Sequence, residues 1–259
     1  MITIKIITVD CDILTKSKSE AEMHYFESIV RVLFSEDVRF VNCNEFLSKN
    51  LFKAMLNDNY LKEIHGESGF KPYVFSLLYP PDRKKKVYEK NREYTFTIRS
   101  VDERFLKALL MELQFLKNDD FRVISVEFFK INQRYIDSLH NISPAVLTLS
   151  SDVAKNRQWR VDDGDIMMVK DRIIANLEKK HKQFFGTQLT AQSDAITFFE
   201  LLNKVPYPIK YKRKTLQANK FRLGFNSDKT SQKLAFTCMA LGMLEKNGLG
   251  FGFCVRDRL

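Results

Sequence analysis

Four of the nine glycines fall within eleven residues near the carboxyl end: Gly242, Gly248, Gly250 and Gly252, in the stretch LGMLEKNGLGFGFCVRDRL. Glycine has no Cβ, so its backbone N–H can approach an anion closely and its φ can be positive. Lys246 and Asn247 stand just ahead of Gly248 and add a charge and a hydrogen-bonding edge. A Rossmann dinucleotide loop is excluded, because that loop follows a strand and opens a helix. Here a helical pattern comes before the glycines and a strand pattern after them. Two readings stay open. One is a loop gripping a nucleic-acid phosphate, with Lys246, Asn247, Gly248, Gly250 and Gly252 as its contacts. The other is a helix C-cap at Gly242 followed by a bulged strand.

The side chains able to move protons are few. His24, His65, His140 and His181 show neither H-x-H nor H-x-x-x-H spacing, and Cys11, Cys43, Cys238 and Cys254 form no C-x-x-C pair. No metal site, disulfide framework or cofactor is therefore expected. His65 ends a predicted helix beside Gly66, where it can be exposed, and an ordinary imidazole pKa near 6.5 suits proton transfer at neutral pH. A surface histidine favoured by the helix dipole would look the same. His140 and His181 receive no role, and Trp159, the single tryptophan, reads as a core anchor.

The formal net charge is +10, which speaks to partners rather than to fold. The charge is uneven. Lys204, Lys210, Lys212, Arg213, Lys214, Lys220 and Arg222 cluster and alternate with Ile209, Tyr211, Phe221 and Leu223, so that one face packs while the other presents cations to nucleic acid. A second basic cluster runs from Arg83 to Lys86. No stretch approaches the roughly 20 apolar residues that span a bilayer, and no basic amphipathic helix marks a membrane surface. The opening MITIKIITV reads as a strand rather than a signal peptide, which points to the cytoplasm.

Periodicity supplies the elements that must position these groups. Ile2, Ile4 and Ile6 alternate as a strand. Ser19 to Phe34 has helical spacing, as does Phe46 to Ile64 with an interruption at Asn57-Asp58-Asn59; one of these helices is extra to the pattern. YVFSLLY and EYTFTIRS follow as strands, DERFLKALLMELQFLK as a helix and FRVISVEFF as a strand, giving β-α-β-β-α-β. After Pro144 come strand AVLTLS, a helix from Met167 to His181, strand AITFFELL, strands YPIKYKRK and KFRLGF joined by Leu216 to Asn219, helix SQKLAFTCMALGML and strand GFCVR. The expected fold is α+β, with two tandem ferredoxin-like domains over 1–141 and 142–259 and a linker near Asn141 to Pro144.

EKNGLGFGF, after a helix and before a last strand, resembles the glycine-rich signature of the CRISPR-associated repeat-RNA-processing endoribonucleases of the RAMP superfamily. YLKEIHGESGFKPYVFSLLY is similar to that family's segment of helix-end histidine, loop, lysine and aromatic strand, and VLTLSSDVAKNRQWRVDDGD is similar to the opening of its second domain. The resemblance implies metal-independent cleavage. The ribose 2′-OH attacks the adjacent phosphate and leaves a 2′,3′-cyclic phosphate and a 5′-OH. It implies His65 as acid or base and Lys71 as the phosphate-stabilising cation. Several family members complete the site with a tyrosine in the first helix. In this chain that position falls near Phe52 or, if the earlier predicted helix is used, near His24 and Tyr25, which makes His24 the candidate second histidine. The expected partner is CRISPR repeat RNA, bound by a monomer or homodimer, with effector-complex subunits as further partners. The alternative is a non-catalytic subunit that binds guide RNA in an effector complex.

Overall fold

The computed structural model describes residues 5–6, 23–116, 121–149 and 157–257. Its first half runs β1 (Lys5–Ile6), β2 (His24–Leu33), β3 (Val38–Arg39), α1 (Cys43–Met55), α2 (Asn59–Gly66), β4 (Tyr73–Phe75), β5 (Val87–Tyr88), β6 (Tyr94–Ser100), α3 (Glu103–Gln114) and β7 (Arg122–Asn132). The second half runs β8 (Ser138–Asn141), β9 (Thr148–Leu149), β10 (Arg157–Gln158), α4 (Ile166–Phe185), β11 (Ile196–Leu201), β12 (Tyr207–Tyr211), β13 (Lys214–Ala218), β14 (Phe221–Phe225), α5 (Lys229–Leu241) and β15 (Cys254–Arg256).

Two sheets organise the chain. The first has the order β1-β7-β2-β6-β4 and the second β11-β14-β8-β15. β1 runs parallel to β7, and every other pairing in both sheets is antiparallel. Each sheet repeats one permutation. Its first long strand, β2 or β8, lies between the fourth and the third, and the second strand pairs with the third at an edge. Phe75, Phe96, Phe105 and Leu109 are among the side chains of the first core. Trp159, Ile173, Phe221 and Leu234 lie in the second.

The segment expected as a helix over Ser19 to Phe34 is instead the strand β2 from His24 onward. Its buried side chains include Phe26, Ser28, Val30 and Val32, a period of two. The β-branched Ile29, Val30 and Val32 favour a pleated surface, and β2 has a partner on both edges. The spacing of Met23, Phe26, Val30 and Leu33 satisfied a helical template by coincidence. The interruption at Asn57-Asp58-Asn59 is a true boundary: Asp58 caps α2, its carboxylate accepting from the Leu61 N–H at 2.9 Å. Ile2, Ile4, Cys11 and residues 19–22 lie outside the described residues.

Two further expectations change. Asn141 was expected to open a linker, yet β8, which ends there, is a central strand of the second sheet. Leu216 to Ala218, expected as a connection, belong to β13, which pairs with β12 around the two-residue turn Lys212-Arg213. That hairpin stands outside the second sheet. Ile209, Leu216 and Ala218 pack instead with Val146 and Phe251 in a small third core.

Arg99 of β6 ties the halves together. Its Nε donates to Glu27 Oε2 at 2.6 Å, and one terminal nitrogen donates to Met239 O at 3.0 Å and Cys254 O at 2.6 Å. The guanidinium lies 4.2 Å from the Phe253 ring centre. A buried cation of this kind is tolerable only when its donors are matched.

Candidate functional site

The glycine-rich segment follows α5. Gly242 caps that helix with a φ of 79°. The chain then makes a single 3-10 turn over Asn247–Leu249 before β15. Gly252 has a φ of 68°, and a Cβ there would lie 2.1 Å from Met243 O. A Cβ on Gly250 would lie 2.5 Å from Phe75 Cε2. Both glycines are therefore required by the protein's own packing, and both are buried. Asn247 is also turned inward. Its amide donates to Met243 O at 3.0 Å and Phe251 O at 2.9 Å, and its oxygen accepts from Lys180 Nζ at 2.7 Å. Lys180 further donates to Gly242 O at 2.7 Å and Leu244 O at 2.8 Å. Burial pulls the Lys180 pKa down to about 7, and the three acceptors are what sustain an ammonium there. Of the loop residues expected to touch RNA, Lys246 is exposed and Gly248 partly so, while Asn247, Gly250 and Gly252 brace the loop from within.

The outer side of this loop meets the first half. A Cβ on Gly248 would lie 3.2 Å from both Lys71 Cγ and Tyr73 Oη. The Tyr73 hydroxyl donates to Gly248 O at 3.3 Å, and Asn44 of α1 donates to Leu249 O at 2.9 Å. Lys71 in turn closes the C-terminus of α2, donating to Ile64 O at 2.9 Å, His65 O at 2.7 Å and Glu67 O at 2.5 Å. An ammonium has three N–H donors, so all three are engaged on backbone carbonyls in the last turn of α2 and just beyond it. Lys71, expected as the phosphate-stabilising cation, thus has its hydrogens already committed, while its charge remains.

That charge acts on His65. The imidazole packs against Phe52 of α1, with ring centres 4.6 Å apart. Its Nδ1 is buried and finds no hydrogen-bond partner among the described residues. Burial holds the His65 pKa below the usual histidine range, and the ammonium groups of Lys71 and Lys212 push it the same way. His65 is therefore a neutral imidazole at neutral pH, the form that accepts a proton.

Lys212 arrives from the hairpin. The Lys212 N–H donates to Glu45 Oε2 at 3.0 Å, and the Ser48 hydroxyl lies 3.3 Å from Tyr211 Oη, so the hairpin tip is fastened to α1. Lys210, Lys212, Arg213 and Lys214 are exposed around it, as is Lys204. Lys220 is half-buried, 5.6 Å from the Tyr207 ring centre. Its pKa is lowered by burial and then by Arg83, so the two basic clusters of the sequence share one surface. Arg222 is drawn off by Glu200 at 3.2 Å and Asp257 at 3.4 Å.

His24 is not with His65. It lines an open cleft of about 1120 Å³ between the halves, with Tyr60, Ile64, Phe70, Asp102 and Phe184 among its walls. Tyr60 and Ile64 mark the α2 face turned to that cleft, and His65 projects elsewhere, onto Phe52. Trp159 is a buried anchor whose indole donates to Gly164 O at 3.1 Å. Among the described residues no three His, Cys, Asp or Glu side chains gather as a metal-holding group. Lys180, Ser48 and Tyr211 were missed as parts of the site. A lysine in a helix and a hydroxyl in α1 carry no local signal, and Tyr211 was read only as a packing residue.

No family model matches the chain. It is 25% identical over 240 residues to the CRISPR-associated endoribonuclease Cas6 2 of Methanocaldococcus jannaschii, covering 84% of this chain and 94% of that protein. A solved structure of a CRISPR-associated protein Cas6 superposes with a TM-score of 0.67 at 19% identity, covering 90% of this chain and all of that one. A RAMP protein described as binding different RNA substrates superposes with a TM-score of 0.67 at 18% identity, over the same shares of the two chains. The glycine-rich loop, the segment around His65 and a fold shared over 90% of the chain converge on a likeness to these CRISPR-associated Cas6 and RAMP proteins.

Proposed function

We propose that the protein is a metal-independent endoribonuclease that cuts CRISPR repeat RNA in the cytoplasm. It is built as two tandem ferredoxin-like units divided ahead of Ser138, the start of the first strand of the second sheet. One observation carries the reading. The Lys71–Gly248 contact and the hairpin tip bring a neutral histidine, the glycine-rich loop and a free basic surface to one place from three distant parts of the chain. His65 takes the proton of a ribose 2′-OH. The 2′-oxygen bonds to the adjacent phosphorus as the P–O5′ bond breaks, leaving a 2′,3′-cyclic phosphate and a 5′-OH. The hairpin cations Lys210, Lys212, Arg213 and Lys214, with Lys246 across the loop, hold the phosphates on either side. Alignment of the attacking oxygen supplies much of the acceleration.

The test is incubation of the protein with the repeat RNA from its own genome in excess EDTA, with the product ends identified. Cleavage to cyclic-phosphate and 5′-hydroxyl ends, lost in His65→Ala, is expected. Intact RNA after long incubation refutes the enzyme reading. Phe52 beside His65 has no proton to give, and this favours a second reading as a guide-RNA-binding subunit. Tight binding without any cleavage selects it.

A further inference from the structure

Cleavage of this kind needs a group that protonates the departing 5′-oxygen, and neither the two candidate histidines nor Lys71 provides one. His65 is held in its base form. Lys71 has its three hydrogens on the carbonyls of residues 64, 65 and 67. Phe52 is a hydrocarbon ring. His24 lies in the interdomain cleft, with Ile64 rather than His65 among its neighbours there.

The hairpin brings a hydroxyl to the same wall. Ser48 and Phe52 are one turn apart on α1, where side chains sit about 5–6 Å from each other. Phe52 touches the His65 ring, and Ser48 lies 3.3 Å from Tyr211 Oη. The next residue, Lys212, is near enough for its charge to act on His65. On the other side Tyr211 is near enough to Tyr73, whose hydroxyl holds Gly248 O, for its ionised form to disfavour ionisation of Tyr73. Tyr211 Oη therefore stands between α1 and the glycine-rich loop, on the side from which Lys212 faces His65. The Ser48 hydroxyl also reaches Glu45 O at 3.2 Å, and its single hydrogen serves one acceptor, so either oxygen can donate in the contact between Ser48 and the phenol. We propose that Tyr211, carried in on the hairpin, is the proton donor to the 5′-oxygen, an inference that rests on the endoribonuclease reading above.

The step balances. The 2′-OH proton passes to His65, the O2′–P bond forms, the P–O5′ bond breaks, and the phenolic proton passes to O5′. Exchange with water then returns a proton from the imidazolium to the phenolate. No oxidant, reductant or further reactant is involved. The hairpin is also basic around this residue, so phosphates drawn to Lys210 and Lys212 arrive beside the donor.

The test compares two substrates. The cleavage position is mapped with wild-type protein, and a second RNA is made with sulfur replacing the bridging 5′-oxygen there. A thiolate leaves without needing a proton. Tyr211→Phe is expected to cut ordinary RNA at least 100-fold more slowly, to bind it within about threefold of wild type, and to cut the sulfur-bridged RNA at close to the wild-type rate. An ordinary-RNA rate within threefold of wild type overturns the proposal, as does an equal loss on both substrates, which would mark a structural role. Rescue by sulfur in Lys212→Ala but not in Tyr211→Phe moves the donor to Lys212 and also overturns it. If wild-type protein cuts neither RNA, the endoribonuclease reading itself has failed and the inference goes with it.

Discussion

Lys180 and Lys71 make the same three-donor bracket on opposite sides of one loop, in very different surroundings. Lys180 is almost wholly buried and clamps the inner side through Gly242 O, Leu244 O and Asn247. Lys71 is part-exposed and closes the end of α2, with Gly248 against its stem. The inner bracket fixes where the loop is. The outer one fixes where His65 is and lends it a field. On the proposed function, stability belongs mainly to the inner side of the loop and chemistry to the outer side.

The largest expected effect tests the outer side. His65→Ala should lower the single-turnover cleavage rate by about 10²–10⁴-fold, the usual range for removing a general base, while the melting temperature hardly changes. The converse holds inside. Lys180→Met leaves three buried acceptors unpaired and should cost about 3 kcal/mol of stability in urea unfolding, with Gly252→Ala comparably damaging because its Cβ meets a backbone oxygen. If Lys180→Met were as stable as wild type but inactive, the two roles would have been assigned the wrong way round.

A smaller effect should appear with pH. His181 is buried, its Nδ1 is 2.9 Å from Thr237 Oγ1, and burial pulls its pKa down to about 4. The unfolded chain takes up the proton near 6.5 and the folded one only near 4. The stabilising contribution is thus complete above 6.5 and is lost as pH falls from there toward 4. After allowance for solvent screening, about 2 kcal/mol should disappear across that window. Urea titrations at several pH values would show it, and His181→Phe should flatten the slope. Smaller still is Lys71→Met. Loss of the helix cap should cost about 1 kcal/mol, and loss of the neighbouring charge should let the His65 pKa rise. The acid limb of the cleavage profile then moves to higher pH. An unchanged limb would separate Lys71 from the field at His65.

What was readable along the chain was local. Alternation in EYTFTIRS and the apolar stripe of DERFLKALLMELQFLK became β6 and α3, since their side-chain periodicity answers to a single buried face. The order of most elements, the excess of positive charge and the place of the glycine loop between a helix and a last strand were likewise legible. β2 was misread because its few apolar positions fit both periods, and only its two flanking strands decide between them.

By itself, the sequence determined which side chains were available: one histidine at a helix end, a lysine six residues on, glycines where backbone crowds, and a cationic hairpin. Tertiary structure alone decided what each of them faces. Asn247 turns inward because Lys180 awaits it, Lys71 has no hydrogen left over because α2 ends beside it, and Tyr211 meets Ser48 across a separation of 163 residues. The reason is physical. Periodicity is set by neighbours within a turn or a pleat, whereas the partner of a hydrogen-bonding group is chosen by how whole elements pack, and no short stretch of chain encodes that choice.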